Sequence, residues 1–312
     1  MATALHRRGR GPLTRRWTPP DRYDLHRSLA VLARGPHDPA YRVAADGTVW
    51  RASRTPDGPG TLRLHPGPPV TAQAWGPGAD WLLDHLPALL GGEDDPTPFV
   101  PRHRLLHEAH RRHPGLRLVR TGLVLESLIP AVLEQKVTCE EAYRAWRRLL
   151  WRHGEPAPGP GEELGLRVMP TPRQWALLPS WEWHRAGVDA KRSATVVRAA
   201  RLAPRLEEAA GMALPQAMAR LTHVPGIGPW TAAETLQRSN GEPDAVTVGD
   251  LHLPRLVGYA LAGDPHTDDA GMLALLAPYA GQRHRATRLI GLVGRRPPRR
   301  VPRMRRTDIA RL

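Results

Sequence analysis

Asp250 opens an apolar, helix-periodic run from Leu251 to Leu261. A carboxylate there caps the helix, and the positive end of the helix dipole favours its ionised form. Upstream, Leu221-Thr222-His223-Val224-Pro225-Gly226-Ile227-Gly228-Pro229-Trp230 reads as a helix end, a Pro-Gly-x-Gly hairpin and a new helix starting at Pro229. Such a hairpin gathers backbone N–H groups that have no intrahelical acceptor, which is the chemistry of a phosphate site. The Gly-x-Gly is not a dinucleotide fingerprint, because Leu214 to Leu221 before it has helical rather than strand character. His103, His107, His110 and His113 recur on one helical face. His107-Glu108-Ala109-His110 is one residue short of the zincin spacing and no further ligand is evident, so a solvated basic face is expected. No Gly-x-Ser-x-Gly elbow, P-loop or cysteine–histidine pair occurs.

Hairpin, tryptophan and aspartate together resemble the helix-hairpin-helix DNA glycosylase superfamily, most closely its alkylated-base branch of the 3-methyladenine DNA glycosylase II type. The resemblance implies that Asp250 is catalytic, stabilising positive charge on the sugar as the N-glycosidic bond breaks. It implies that Trp230 stacks on the extruded base, at the position where strand-cutting members carry a Schiff-base lysine, so the chemistry would be monofunctional. Tyr279 would be a second aromatic wall. Gln135, in Leu133-Glu134-Gln135-Lys136-Val137-Thr138, would line the pocket entry, and Lys136 falls where relatives place an apolar wedge. Glu234, one turn after Trp230, stands where a relative often has an aromatic; turned inward, it would favour cationic alkylated purines such as 3-methyladenine over neutral ethenoadenine. Thr222, Val224, Gly226, Gly228 and Thr231, with Lys136, would meet DNA. The carbonyls of Thr222, Val224 and Gly226 would hold a monovalent cation, with no other cofactor required. The implied partner is duplex DNA containing damaged bases, bound by a monomer. A non-catalytic DNA-binding module and a glycosylase for oxidised or mismatched bases are the alternatives.

The elements that must position these residues divide in type. From Arg22 to about Asp95, Ala40 to Val43, Thr48 to Ser53, Thr61 to His65 and Val70 to Ala74 alternate like strands, with Asp46-Gly47 and Asp57-Gly58 as hairpin turns. A helix over Ala79 to Leu90 follows. After Pro96 the periodicity is helical, with Gly154 to Gly161 as a loop. The expected fold is mostly α, a glycosylase core of two helical subdomains with a small α+β antiparallel-sheet domain before it. The expected division is a basic tail over 1–20, an α+β domain over 21–95, one helical subdomain from 96–122 plus 251–294, a hairpin subdomain over 123–250, and a basic tail over 295–312.

Composition narrows the classes. Cys139 is the single cysteine, which excludes a disulfide framework, a cysteine-rich zinc site and a four-cysteine cluster. The formal charge of +15 is concentrated at the ends: the two tails carry +5 and +7, leaving +3 for residues 21–294. Only Lys136 and Lys191 are lysines, so the arginine excess reflects a compositional bias as much as a need to bind nucleic acid. No stretch is long enough for a membrane span, and Met1 to Pro20 lacks the apolar core of a signal peptide, so a cytoplasmic location without membrane contact is expected.

Overall fold

A computed structural model of the chain describes residues 11–19, 22–293, 296–297 and 310. Strands β1 (Leu13–Trp17), β2 (Tyr41–Val43), β3 (Val49–Thr55), β4 (Gly58–His65) and β5 (Val70–Trp75) form an antiparallel sheet in the order β1-β5-β4-β3-β2. The Asp-Gly turns set its register, placing Val49 opposite Leu64 and Thr55 opposite Gly58. On one face Val49, Leu62, Leu64, Val70, Ala72 and Ala74 pack against α1 (Leu25–Leu29), α2 (Ala79–Asp84) and α3 (Leu86–Leu89). The opposite face is also buried: Trp50 and Ala52 meet Ala157, Leu166 and Val168 of the helical body. This two-sided cover explains why β3 is buried almost throughout instead of alternating.

Two expectations at this end need correction. The expected tail over 1–20 contains β1, which pairs with β5 from Leu13 opposite Ala74 to Trp17 opposite Val70. Its sequence, Leu-Thr-Arg-Arg-Trp, has no apolar alternation because it is an exposed edge strand held by backbone pairing. The expected helix over Ala79 to Leu90 breaks at His85. Pro87 has no N–H to give to the carbonyl of Leu83, and Arg15 of β1 donates to that carbonyl instead, at 2.7 Å. Residues 1–10, 20, 295, 298–309 and 311–312 of the two tails lie outside the described residues.

The helical body begins with α4 (Arg104–Arg112), α5 (Val124–Leu133) and α6 (Cys139–His153). The expected loop Gly154 to Gly161 holds β6 (Glu155–Pro156), which pairs with β7 (Arg167–Val168), and the start of α7 (Pro160–Glu163). There follow α8 (Pro172–Leu177), α9 (Ser180–Ala186), α10 (Ala190–Arg201), α11 (Ala203–Glu207), α12 (Leu214–Thr222) and α13 (Pro229–Ser239), then α14 (Leu253–Ala262), α15 (Asp269–Leu276) and α16 (Arg283–Val293). One core gathers buried residues from Val124 to Leu236, with every residue of α5 but Glu126 buried. A second joins α4 to α14, α15 and α16 through Leu106, Val257, Met272 and Leu289. The sheet docks on this body by charge as well as packing, through Arg51 with Glu126, Arg54 with Glu155, and Arg34 with Glu134 at 2.9 Å.

Candidate active site

The hairpin between α12 and α13 is held from three sides. Internally, the N–H groups of Val224 and Ile227 donate to the carbonyls of Leu221 and Val224. From α10, Arg198 Nε donates to the Pro225 carbonyl at 3.0 Å. From the turn after α5, Gln135 Nε2 donates to the Gly226 carbonyl at 3.0 Å and to Thr231 Oγ1 at 2.8 Å. The N–H groups of Gly226, Gly228, Trp230 and Thr231 find no acceptor among the described residues, so this end of α13 presents a set of free donors to an anion.

Gly226 has φ +99°, and a Cβ there would stand 2.1 Å from Thr195 Oγ1 on α10. Both backbone and space therefore demand glycine. Gly226→Ala is expected to lower stability by about 2 kcal/mol, mostly as strain. A denaturant midpoint unchanged by the substitution would show that the hairpin yields without cost.

Asp250 and Trp230 meet across the interval between α13 and α14. Trp230 Nε1 donates to Asp250 Oδ2 at 2.8 Å. Asp250 Oδ1 accepts from the N–H groups of His252 and Leu253 at 2.7 and 2.8 Å, but α14 starts only at Leu253 with His252 at its N-cap, so Asp250 braces the turn two residues ahead of the cap instead of capping the helix itself. Three donors thus fix a carboxylate that offers about four acceptor sites, and one is left for a reacting group. Gly249, at φ +84°, turns the chain so that Asp250 can reach both helices.

A cavity of about 210 Å³ is lined by Val31 of the sheet domain, Glu234 and Arg238 of α13, Leu253 of α14 and His284 and Arg288 of α16, among others. Glu234 is one turn from Trp230 and Leu253 three residues from Asp250, but Trp230 and Asp250 are not themselves among the residues that line it. Arg238 Nη1 donates to Glu234 Oε2 at 2.7 Å. Burial pulls the Arg238 guanidinium down, but Glu234 and Glu134 outweigh it and the guanidinium ends above its ordinary value. Burial, followed by the Arg288, Arg238 and Arg285 charges, holds His284 well below the usual histidine range, so its ring is neutral at pH 7. Burial, then Arg238, pushes Arg288 down to about 10, so it stays a cation.

No family model matches the chain. It is 29% identical over 225 residues to a Mycobacterium tuberculosis protein named probable bifunctional transcriptional activator/DNA repair enzyme AlkA, a match covering 69% of this chain and 44% of that one. The chain therefore spans under half the length of that curated relative. A 3-methyladenine DNA glycosylase from Archaeoglobus fulgidus superposes with a TM-score of 0.71 at 18% identity, over 89% of this chain and 98% of that one. A Clostridium acetobutylicum 8-oxoguanine glycosylase/lyase bound to duplex DNA superposes with a TM-score of 0.69 at 11% identity, over 90% and 96%. The chain shares the fold of these two DNA glycosylases.

Against this glycosylase fold, the expected site residues separate into those that meet and those that do not. Trp230 and Asp250 are bonded, and Glu234 faces the cavity, but its carboxylate is committed to Arg238 and is no free partner for a cationic ring. Tyr279 is not a pocket wall: it is 3% exposed, stacks on Phe99, and its hydroxyl accepts from the N–H groups of Arg102 and His103, because the turn at 277–279 drives the ring into the second core. Gln135 is a strut to the hairpin, not a lining residue of the cavity. Thr231 is buried with its hydroxyl under Gln135, so only its backbone N–H is available to a phosphate. Val224 is likewise buried, whereas Thr222, Gly226 and Gly228 reach the surface. Lys136 is exposed with φ +53°, a left-handed conformation costly for a side chain, held between the Gln135 strut and the capping box of Thr138 and Glu141. His103 is bonded to Tyr279, His110 packs on Phe99, and no metal-binding cluster occurs among the described residues. Arg238, His284 and Arg288 were missed; their signal was i, i+4 spacing, from Glu234 to Arg238 and from His284 to Arg288.

Proposed function

We propose that the chain is a monofunctional DNA glycosylase that extrudes a damaged purine from duplex DNA and hydrolyses its N-glycosidic bond as a step of base excision repair, with alkylated purines as the substrate class. The observation that carries this reading is the 2.8 Å bond from Trp230 Nε1 to Asp250 Oδ2, which fixes the orientation of a carboxylate three residues before Leu253, one of the residues that line the cavity; the family resemblance adds that Trp230 stands at the position of the strand-cutting members' lysine. The hairpin N–H groups hold a backbone phosphate, and the base rotates out of the stack toward the cavity. As the C1′–N bond lengthens, positive charge grows on the deoxyribose and Asp250 stabilises it. Asp250 also accepts a proton from the attacking water through its remaining acceptor site. Lys136, exposed on the same side, enters the gap left by the base.

The carbonyls of Thr222, Val224 and Gly226 form an oxygen-only donor set of the kind that suits a hard monovalent ion. Two already accept a hydrogen bond, Val224 from Ile227 and Gly226 from Gln135, and each keeps a second lone pair. These carbonyls would hold the ion, and its charge would add to the pull on the phosphate. No cofactor is needed for the hydrolysis itself.

Monofunctional chemistry makes a direct prediction. After single-turnover base release the abasic strand is expected to stay intact, and borohydride is expected to trap no covalent complex, because no lysine replaces Trp230. Trapping that disappears in Lys136→Ala would overturn the assignment. Efficient release of 8-oxoguanine with methylated purines untouched would move the protein to the oxidised-base reading, for which the polar lining of the cavity also speaks.

A further inference from the structure

We infer that α10 is a further DNA contact of this chain: its ridge of Lys191, Arg198 and Arg201, continued by Arg205 of α11, tracks the backbone phosphates that flank the one held at the hairpin. The inference rests on reading the hairpin as the phosphate site of a DNA glycosylase.

The hairpin is seated on this helix. A Cβ on Gly226 would stand 2.1 Å from Thr195 Oγ1, so the hairpin backbone lies directly against α10. Arg198, three residues further along, gives Nε to the Pro225 carbonyl at 3.0 Å and Nη2 to Thr195 Oγ1 at 3.3 Å, which leaves Nη1 without a partner among the described residues. That nitrogen is available to an anion beside the free hairpin N–H groups. At about 100° per residue, Lys191, Arg198 and Arg201 fall within about 80° of one another around the helix, and Thr195 borders them on the hairpin side. Lys191, Arg201 and Arg205 are exposed. From Lys191 to Arg201 the ridge runs about 15 Å, the axial length of about four nucleotides of one strand.

Charge decides what the ridge fits. α10 has no acid between Ala190 and Arg201, and the acids at its ends are engaged: Asp189 with Arg192, Glu208 with Arg220, and Glu207 with the N–H groups of Val124 and Leu125. Lys191, Arg201 and Arg205 enter no ion pair among the described residues. Other arginines of the body, such as Arg34, Arg51, Arg238 and Arg285, are held in internal pairs. Residues 21–294 carry only +3 in all, so four cations on one ridge are a local excess and not a share of general basicity. Arg198 and Arg201 stand at a spacing where like charges repel, and a polyanion relieves that repulsion. Contacts of this kind release counterions condensed on DNA, and so supply affinity without reading sequence. They suit a protein that must meet a damaged base in any sequence.

The test measures the affinity of the full chain for a lesion-free duplex between about 50 mM and 1 M salt. Wild type is compared with a variant carrying Lys191→Ala, Arg201→Ala and Arg205→Ala, and with a control that removes three exposed cations elsewhere, by Arg111→Ala, Arg112→Ala and Arg173→Ala. Each lost phosphate contact removes about 0.9 from the slope of log K against log salt. The α10 variant is expected to lose about 2 to 3 from that slope and on the order of 100-fold in affinity at about 0.1 M salt, with the two curves converging toward 1 M. The control is expected to keep the wild-type slope. If the α10 variant does not fold, Lys191→Ala alone decides, through a loss of about 0.9 in slope. An unchanged slope in the α10 variant, or an equal loss in the control, overturns the inference and leaves the hairpin and the glycosylase reading standing. Wild type that binds no duplex overturns the hairpin reading, and the inference with it.

Discussion

Asp250→Asn is expected to slow base excision by on the order of 10³-fold, about 4 kcal/mol of transition-state stabilisation, while DNA affinity changes little. Asparagine keeps one oxygen to accept from the N–H groups of His252 and Leu253, so the turn that leads into α14 survives. The second position changes from acceptor to donor. It would then face Trp230 Nε1, itself a donor that now bonds Oδ2 at 2.8 Å, so the indole loses its anchor as the sugar loses its counter-charge. The hairpin donors are untouched, which is why binding and chemistry should separate. Single-turnover rates measured beside equilibrium binding to the same duplex decide the matter. A mutant with near-normal turnover would remove Asp250 from the mechanism and favour the reading of this fold as a DNA-binding module.

How much of this was legible in the sequence depends on how locally each feature is encoded. The hairpin lies within about ten residues, and its Pro-Gly-x-Gly chemistry needs no distant partner to be recognised. The helix expected to start at Pro229 is observed as Pro229–Ser239. Features formed by distant segments were not legible. The cavity draws Val31, Arg238 and Arg288 from three parts of the chain, and no local pattern declares that they share a wall. Strand β1 carries no apolar alternation because it is exposed, and α9 carries little helical signal because Trp181 points outward while Glu182 turns inward to Arg152 and His153, inverting the usual pattern. Tyr279 illustrates the opposite error. An aromatic placed by family resemblance belonged to the core, since residue type alone does not say which way a turn aims its side chain.

Removing the buried carboxylate of Asp94 is expected to have the largest effect on stability. Asp94 follows α3, and its Oδ1 pairs with Arg285 of α16 while its Oδ2 accepts from the N–H of Leu118 at 3.0 Å. The two side chains are 4% and 2% exposed. Asp94→Ala leaves a buried guanidinium with only Gln282 Oε1 as side-chain partner, at 2.6 Å, and is expected to cost about 3–5 kcal/mol. That is a large share of the roughly 5–15 kcal/mol that holds a typical domain folded. Because α16 also carries His284 and Arg288, a loosened α16 takes one wall of the cavity with it, and base release should fall further than the loss of folded protein accounts for. Substituting Arg285→Met in the same chain removes the stranded charge and should recover much of the loss, since the expense lies in the unpaired ion and not in the absence of the pair. Denaturant midpoints for the single and double variants measure this. A loss below about 1 kcal/mol for Asp94→Ala, in the range of an exposed pair, would show that water reaches Arg285 and that α16 is held by its apolar contacts alone.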